Sequence, residues 1–147
     1  ACTLVRCFVH KADNVRPVLG DARHVDESLG HFDIIFHVGV LYHLMDPVSH
    51  IMNLARMTDV LLLDTHYCLE DTKFPRCDIP FDDKVYQAYT YGEKGWKDPF
   101  SGVEPESLWL HRQALLDVLT DAGFTSLEVF KDRIERNGPR ISIMASR

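Results

Sequence analysis

Phe32-Asp33-Ile34-Ile35-Phe36-His37-Val38-Gly39-Val40-Leu41-Tyr42-His43 is the stretch on which the fold turns. Its first seven residues are almost continuously apolar, the pattern of a strand buried on both faces of a parallel sheet. Just downstream, Asp46-Pro47 marks a helix start, because Asp caps free N–H groups and proline suits the first helical position. Val48, Ile51, Met52 and Ala55 then recur at the spacing of one helical face. Residues 59–65 hold Val60-Leu61-Leu62-Leu63, a second buried strand. Upstream, residues 15–19 form a short β-type run after a turn at Asp13-Asn14. Strand, strand, helix, strand predicts an α/β fold with a mainly parallel sheet.

Residues 1–12 place Leu4, Val5, Phe8 and Val9 on one helical face, although so short a run fits a strand as well. Beyond residue 65 the rhythm breaks. Residues 66–105 hold four prolines and eight of the fifteen aromatics. A structureless stretch of that length is uncommon unless it is functional or disordered, and its aromatic density argues against disorder. It reads as an aromatic-rich insertion packed over a site, with a substrate lid, a dimer surface or an extra core layer as its candidate roles. Pro105-Glu106-Ser107 is expected to open the next helix, with Leu108, Leu115, Leu119 and Ala122 inward and Gly123 at its end. Residues 126–130 read as a strand. Asn137-Gly138-Pro139 is a turn, and Ile141, Ile143 and Ala145 alternate as a final strand.

The length of 147 residues suits one globular domain, and the net charge of −6 argues against a phosphate-backbone partner. No apolar run reaches a membrane-spanning length, and residues 1–6 lack a signal-peptide layout, which gives a cytoplasmic reading. Cys2, Cys7, Cys68 and Cys77 match no zinc spacing and read as free thiols. His37, His43 and His50 lack the i, i+4 spacing of a zinc protease, and His66 with Cys68 and Cys77 lacks a fourth ligand, so no metal is expected.

Ligands of open α/β sheets bind beyond the carboxyl ends of strands. Asp21 follows the first run and Gly39 the second, so both can face one crevice. Asp21 can accept from an amine or hydroxyl, or bond its own backbone in a turn. Gly39 permits close approach of backbone to a ligand.

Three runs, Gly20-Asp21-Ala22-Arg23, Phe32-Asp33-Ile34-Ile35-Phe36 and Gly39-Val40-Leu41-Tyr42-His43-Leu44 with Asp46-Pro47, resemble class I S-adenosylmethionine-dependent methyltransferases. So do Trp109-Leu110-His111-Arg112, Asp121-Ala122-Gly123-Phe124 and Asn137-Gly138-Pro139-Arg140. The Gly39–His43 motif is similar to that of the tRNA wobble-uridine carboxymethyltransferase group and related small-molecule methyltransferases. The resemblance implies a Rossmann-like sheet and S-adenosyl-L-methionine as cofactor. Asp21 matches the residue that contacts the adenine amine, and Ala22 its neighbour. Gly39, Val40 and Leu41 match the loop along the methionine part, and Tyr42 and His43 would face the transferred group. His43 is the general-base candidate, or a histidine that merely shapes the loop. In the carboxymethyltransferase group, residues matching Tyr42 and Arg140 help to hold an extra carboxylate, while Arg140 can equally be a hairpin surface residue. Tyr89, Trp96, Trp109, Arg112 and Arg140 are the substrate-side candidates; for Trp109 and Arg112 the alternative is packing against the insertion.

The sequence departs from the family at its Gly-rich turn, which should precede residue 15, whereas the first glycine is Gly20. The expectation is therefore the C-terminal portion of the family sheet, its strands 3-4-5-7-6, lacking the main cofactor cradle and of doubtful activity alone. A strand left without its neighbour should dimerise through its edge, re-pair residues 15–19 beside residues 32–38, or destabilise the chain. The expected reaction is methyl transfer to a small-molecule acceptor. A non-catalytic interaction module is the alternative. Carboxymethyl transfer to a tRNA uridine ranks below both, since residues 66–105 carry eight acids against five Lys or Arg.

Overall fold

The computed structural model describes residues 9–147; Cys2, Cys7 and most of the expected N-terminal apolar face lie outside the described residues. The elements run β1 (Ile35–Val38), α1 (Pro47–Met57), β2 (Val60–His66), β3 (Arg76–Phe81), β4 (Lys84–Gly92), β5 (Glu106–Leu110), α2 (Arg112–Asp121), β6 (Ser126–Glu135) and β7 (Gly138–Ser146). One sheet has the order β1-β2-β7-β6, and a second has the order β3-β4-β5. β1 lies parallel to β2, and β7 lies antiparallel between β2 and β6. The result is mixed α/β, with α1 linking the parallel neighbours β1 and β2.

α1 starts where its cap chemistry dictates. The Asp46 carboxylate accepts from Ser49 N at 3.1 Å, and Pro47 takes the first turn. Val48, Ile51, Leu54 and Ala55 are buried beneath it, while Met52 is only half-buried. Asp46→Ala is expected to cost about 1 kcal/mol, read as a shifted urea midpoint at unchanged slope. The core lies between one face of the first sheet (Leu61, Leu63, Ile141, Ile143), both helices, and one face of the second sheet (Tyr86, Ala88, Leu108, Leu110). α2 closes at Gly123, whose φ is 96°. His37 on β1 and His50 on α1 share a buried Nε2···Nε2 hydrogen bond of 2.8 Å.

Three expectations need correction. Residues 15–19 form no strand: Leu19 is fully exposed, and no ladder partner stands beside this run among the described residues. Pro17 also removes one N–H from any ladder there. The run therefore does not re-pair with β1, whose outer edge has no strand partner among the described residues. Second, β1 is not buried on both faces. His37 faces the core, but Phe36 is 70% and Val38 55% exposed, because nothing among the described residues covers the other face of the sheet there.

Third, residues 106–110 are a strand and not a helix. Leu108, Trp109 and Leu110 are buried in a ladder with β4, and helix α2 begins only after His111, whose Nδ1 accepts from Gln113 N. Residues 66–105, read from sequence as an insertion, contribute the strands β3 and β4. β3 and β4 form a two-residue hairpin through Asp82-Asp83, with Asp82 at φ 51°. Pro80 is tolerated because β3 is an edge strand. Tyr86 reaches across from β4 to α2, its hydroxyl donating to Asp121 at 2.7 Å.

Candidate functional site

The carboxyl ends of β1 and β2 open into a cavity of about 680 Å³. Its floor is the loop after β1. Gly39 adopts φ 72°, a left-handed conformation that favours glycine, and its N–H donates to the Asp64 carbonyl at 3.0 Å. The turn Leu41–His43 then lifts Tyr42 and His43 into the wall, with Leu41 in the core.

Glu93 follows β4 and organises one side. Its side chain is 2% exposed. Oε1 accepts from His43 Nδ1 at 2.8 Å and from Ser107 Oγ at 2.9 Å. Oε2 accepts from Ser101 Oγ at 2.5 Å and from Gly102 N at 2.8 Å. Burial works against its charge, but these four donors outweigh it and hold the carboxyl below its ordinary value. A carboxylate so bonded fixes the His43 tautomer with hydrogen on Nδ1 and leaves Nε2 as a base.

Aromatic rings form the back wall. Trp109 is sandwiched between His66 and Tyr91, both within 11° of parallel, at 4.9 and 4.3 Å between centroids. Its indole Nε1 donates to the Tyr42 carbonyl at 2.8 Å, which pins the loop after β1. Tyr42 packs its ring edge-on to His66. Burial raises the Tyr42 hydroxyl above its ordinary value, so it stays a neutral phenol at pH 7.

The third side is ionic. Asp64 on β2 accepts from Arg140 Nη2 at 2.5 Å and from Ser142 Oγ at 2.5 Å. Burial disfavours its charge, and the Ser142 and Arg140 hydrogen bonds overcome that and lower its pKa. Arg140 also reaches Glu135 at 3.4 Å and lies over the Tyr42 ring. With its fork bonded in this way, Arg140 is occupied inside the protein.

Of the residues singled out from sequence, Gly39, Tyr42, His43, Trp109 and Arg140 line this cavity. Asp21 and Ala22 do not: Asp21 caps the short turn Ala22–His24 and is held by Arg23 N and by the Arg23 guanidinium, the turn role left open for it above. Val40 is half-buried in the core beside the loop. Tyr89 is buried beneath the cavity with its hydroxyl accepting from Gln87. Trp96 is 91% exposed and stands outside it, and Arg112 pairs with Asp132. Both Trp109 and Arg112 lose their expected helical spacing because Trp109 sits on β5. Sequence reasoning missed Asp64, weighed His66 only as a metal ligand, and missed Glu93. The first two carried a signal, since polar residues close an apolar parallel strand at its carboxyl end; Glu93 carried none. Among the described residues, no three His, Cys, Asp or Glu gather as metal ligands, and no helix is long and apolar enough to cross a membrane.

No family model matches the sequence, and no curated protein matches it either. Solved structures do. The N-terminal domain of EvdMO1, in the presence of S-adenosylhomocysteine and D-fucose, matches with a TM-score of 0.81 and 26% identity, over 97% of this chain and 59% of that one. The same domain with S-adenosylhomocysteine bound matches with a TM-score of 0.81 and 26% identity, over 97% and 58%. The longer EvdMO1 structure, 22% identical with a TM-score of 0.66, repeats the fold over 27% of its length. The chain thus spans about three fifths of those N-terminal domains. Its fold is that of the EvdMO1 N-terminal domain, which was crystallised with S-adenosylhomocysteine bound.

Proposed function

We propose that the chain carries out S-adenosylmethionine-dependent methyl transfer to a hydroxyl of a small acceptor. The observation that carries this reading is the cavity at the carboxyl ends of β1 and β2, where His43, backed by Glu93, shares the wall with Gly39 and Tyr42. The similarity to a domain crystallised with S-adenosylhomocysteine and D-fucose supports both the cofactor and a sugar-like acceptor. The left-handed Gly39 and the neutral Tyr42 fit the methionine and sulfonium end of the cofactor. Asp21, tied to Arg23, does not fit the adenine end as placed, and no adenine contact is assigned to it. When bound, the cofactor supplies an electrophilic methyl group on sulfur.

The rest falls to this chain's side chains. The cavity walls would position the acceptor hydroxyl against the cofactor, which converts an encounter into a positioned reaction. His43 Nε2 would take the hydroxyl proton as the methyl passes from sulfur to oxygen, and Glu93 would stabilise the imidazolium that results. Arg140 is committed to Asp64 and Glu135, so the reading includes no extra carboxylate on the cofactor.

Calorimetric titration with S-adenosylhomocysteine tests the proposal. Saturable binding at millimolar ligand or below is expected, together with transfer of labelled methyl to D-fucose. Heat of dilution alone, with no transfer, would leave the non-catalytic interaction module, a reading that draws on the open face at Phe36 and Val38.

A further inference from the structure

His66 is a polar group of the cavity for which methyl transfer has no use, and its geometry gives it one. Its Nδ1 lies 3.0 Å from the Pro139 carbonyl oxygen. A carbonyl only accepts, so Nδ1 carries the hydrogen and Nε2 carries a lone pair. Among the described residues Nε2 has no hydrogen-bond partner, and His66 lines the cavity. The ring cannot swing away: Trp109 stacks on it at 4.9 Å, the Tyr42 ring meets it edge-on at 4.7 Å, and the residue is buried.

We infer that His66 Nε2 is a fixed acceptor for a second hydroxyl of the substrate, beside the one that reacts, so that the site selects a polyhydroxylated, sugar-type acceptor. The inference rests on the methyl-transfer reading and deepens it. The two imidazoles divide the work by what stands behind them. His43 is backed by the Glu93 carboxylate. His66 is backed by a neutral carbonyl, and burial, with the Arg140 charge close by, keeps it in the uncharged form. It therefore accepts a hydrogen bond and keeps none of the substrate's protons. A site that offers such an acceptor discriminates against analogues that lack the donor, because its own polar group is then left unpaired.

Long-range ¹H–¹⁵N spectra of histidine-labelled protein at pH 7 test the tautomer without any variant. A bare Nε2 and protonated Nδ1 at His66 are expected; a protonated Nε2 overturns the inference. D-fucose is then titrated in the presence of S-adenosylhomocysteine, into wild type and into His66→Phe, which keeps the stack on Trp109. A shift of the His66 Nε2 signal, with affinity about tenfold weaker in the variant, supports the role. Equal affinity in both proteins removes His66 and leaves methyl transfer intact. No D-fucose binding to a protein that binds S-adenosylhomocysteine overturns the sugar-type acceptor. Failure to bind S-adenosylhomocysteine is the distinct failure of the parent reading.

Discussion

Glu93→Ala is expected to destabilise the chain by about 3 kcal/mol and to lower methyl transfer by about a hundredfold. The carboxylate is buried and receives four hydrogen bonds, from His43, Ser101, Gly102 and Ser107. Its loss strands the Gly102 N–H and two hydroxyls in a site that the methyl of alanine neither fills nor wets. It also frees His43 to rotate. Urea titration reads the first effect, and the single-turnover rate with saturating cofactor reads the second. A variant as stable as wild type and only twofold slower would show that Glu93 neither organises this side nor supports His43. Glu93→Gln separates the two effects: it refills the space but places an amide donor where donors already point, so it should recover part of the stability and little of the rate.

Acid should unfold the chain earlier than its carboxylates alone require. Burial lowers the His37 pKa to about 4, helped by the neighbouring His50, and burial lowers His50 as well despite the nearby Asp46. In the unfolded chain both titrate near 6.5. Between pH 6.5 and 4 the unfolded state therefore binds protons that the folded state refuses, so stability falls as pH falls. For His37 alone the loss amounts to about 3 kcal/mol across that window. Geometry agrees: a single hydrogen bridges the two Nε2 atoms, and a second proton there would set two cations 2.8 Å apart. His37 Nδ1 is buried without a partner, so no neighbour stands ready to stabilise a charge. Urea midpoints at pH 7 and pH 4.5 measure the loss. The double variant His37→Leu, His50→Leu should flatten it, and a slope unchanged by that variant would place the acid sensitivity elsewhere.

The parts of the fold readable in advance were those where local chemistry and burial agree. Asp46-Pro47 both caps and starts α1, and the apolar run at Leu61–Leu63 has no other use than a buried strand. Gly123 and the alternation Ile141, Ile143, Ala145 belong to the same class. The failures lie where partners decide. Residues 15–19 have β-type side chains but no ladder. Residues 106–110 follow a proline that suits a helix start, yet the β4 edge claims them. The β3–β4 hairpin turns on Asp82-Asp83, where no glycine advertises the positive φ, and Pro80 disguises its first strand. At the site, Gly39, Tyr42 and His43 were legible because one loop holds them. Glu93 reaches His43 from 50 residues away. No local pattern records a distance of that kind.

β7 has one further consequence, for the order in which the chain matures. It follows every other strand of the described residues, yet it occupies the middle of the sheet, paired from Arg140 to Ser146 with β2 on one side and from Gly138 to Ser146 with β6 on the other. Val60 must wait for Ser146 and His66 for Arg140 before β2 has its second neighbour. Until then Leu61 and Leu63 present an apolar strand with a bare edge, open to pairing with any other nascent chain. Pairing strands this far apart in sequence is slow, because loop-closure entropy must be met before their contacts form. The vulnerable period of this protein is therefore its synthesis, when β1, α1 and β2 exist and the strand that completes them does not.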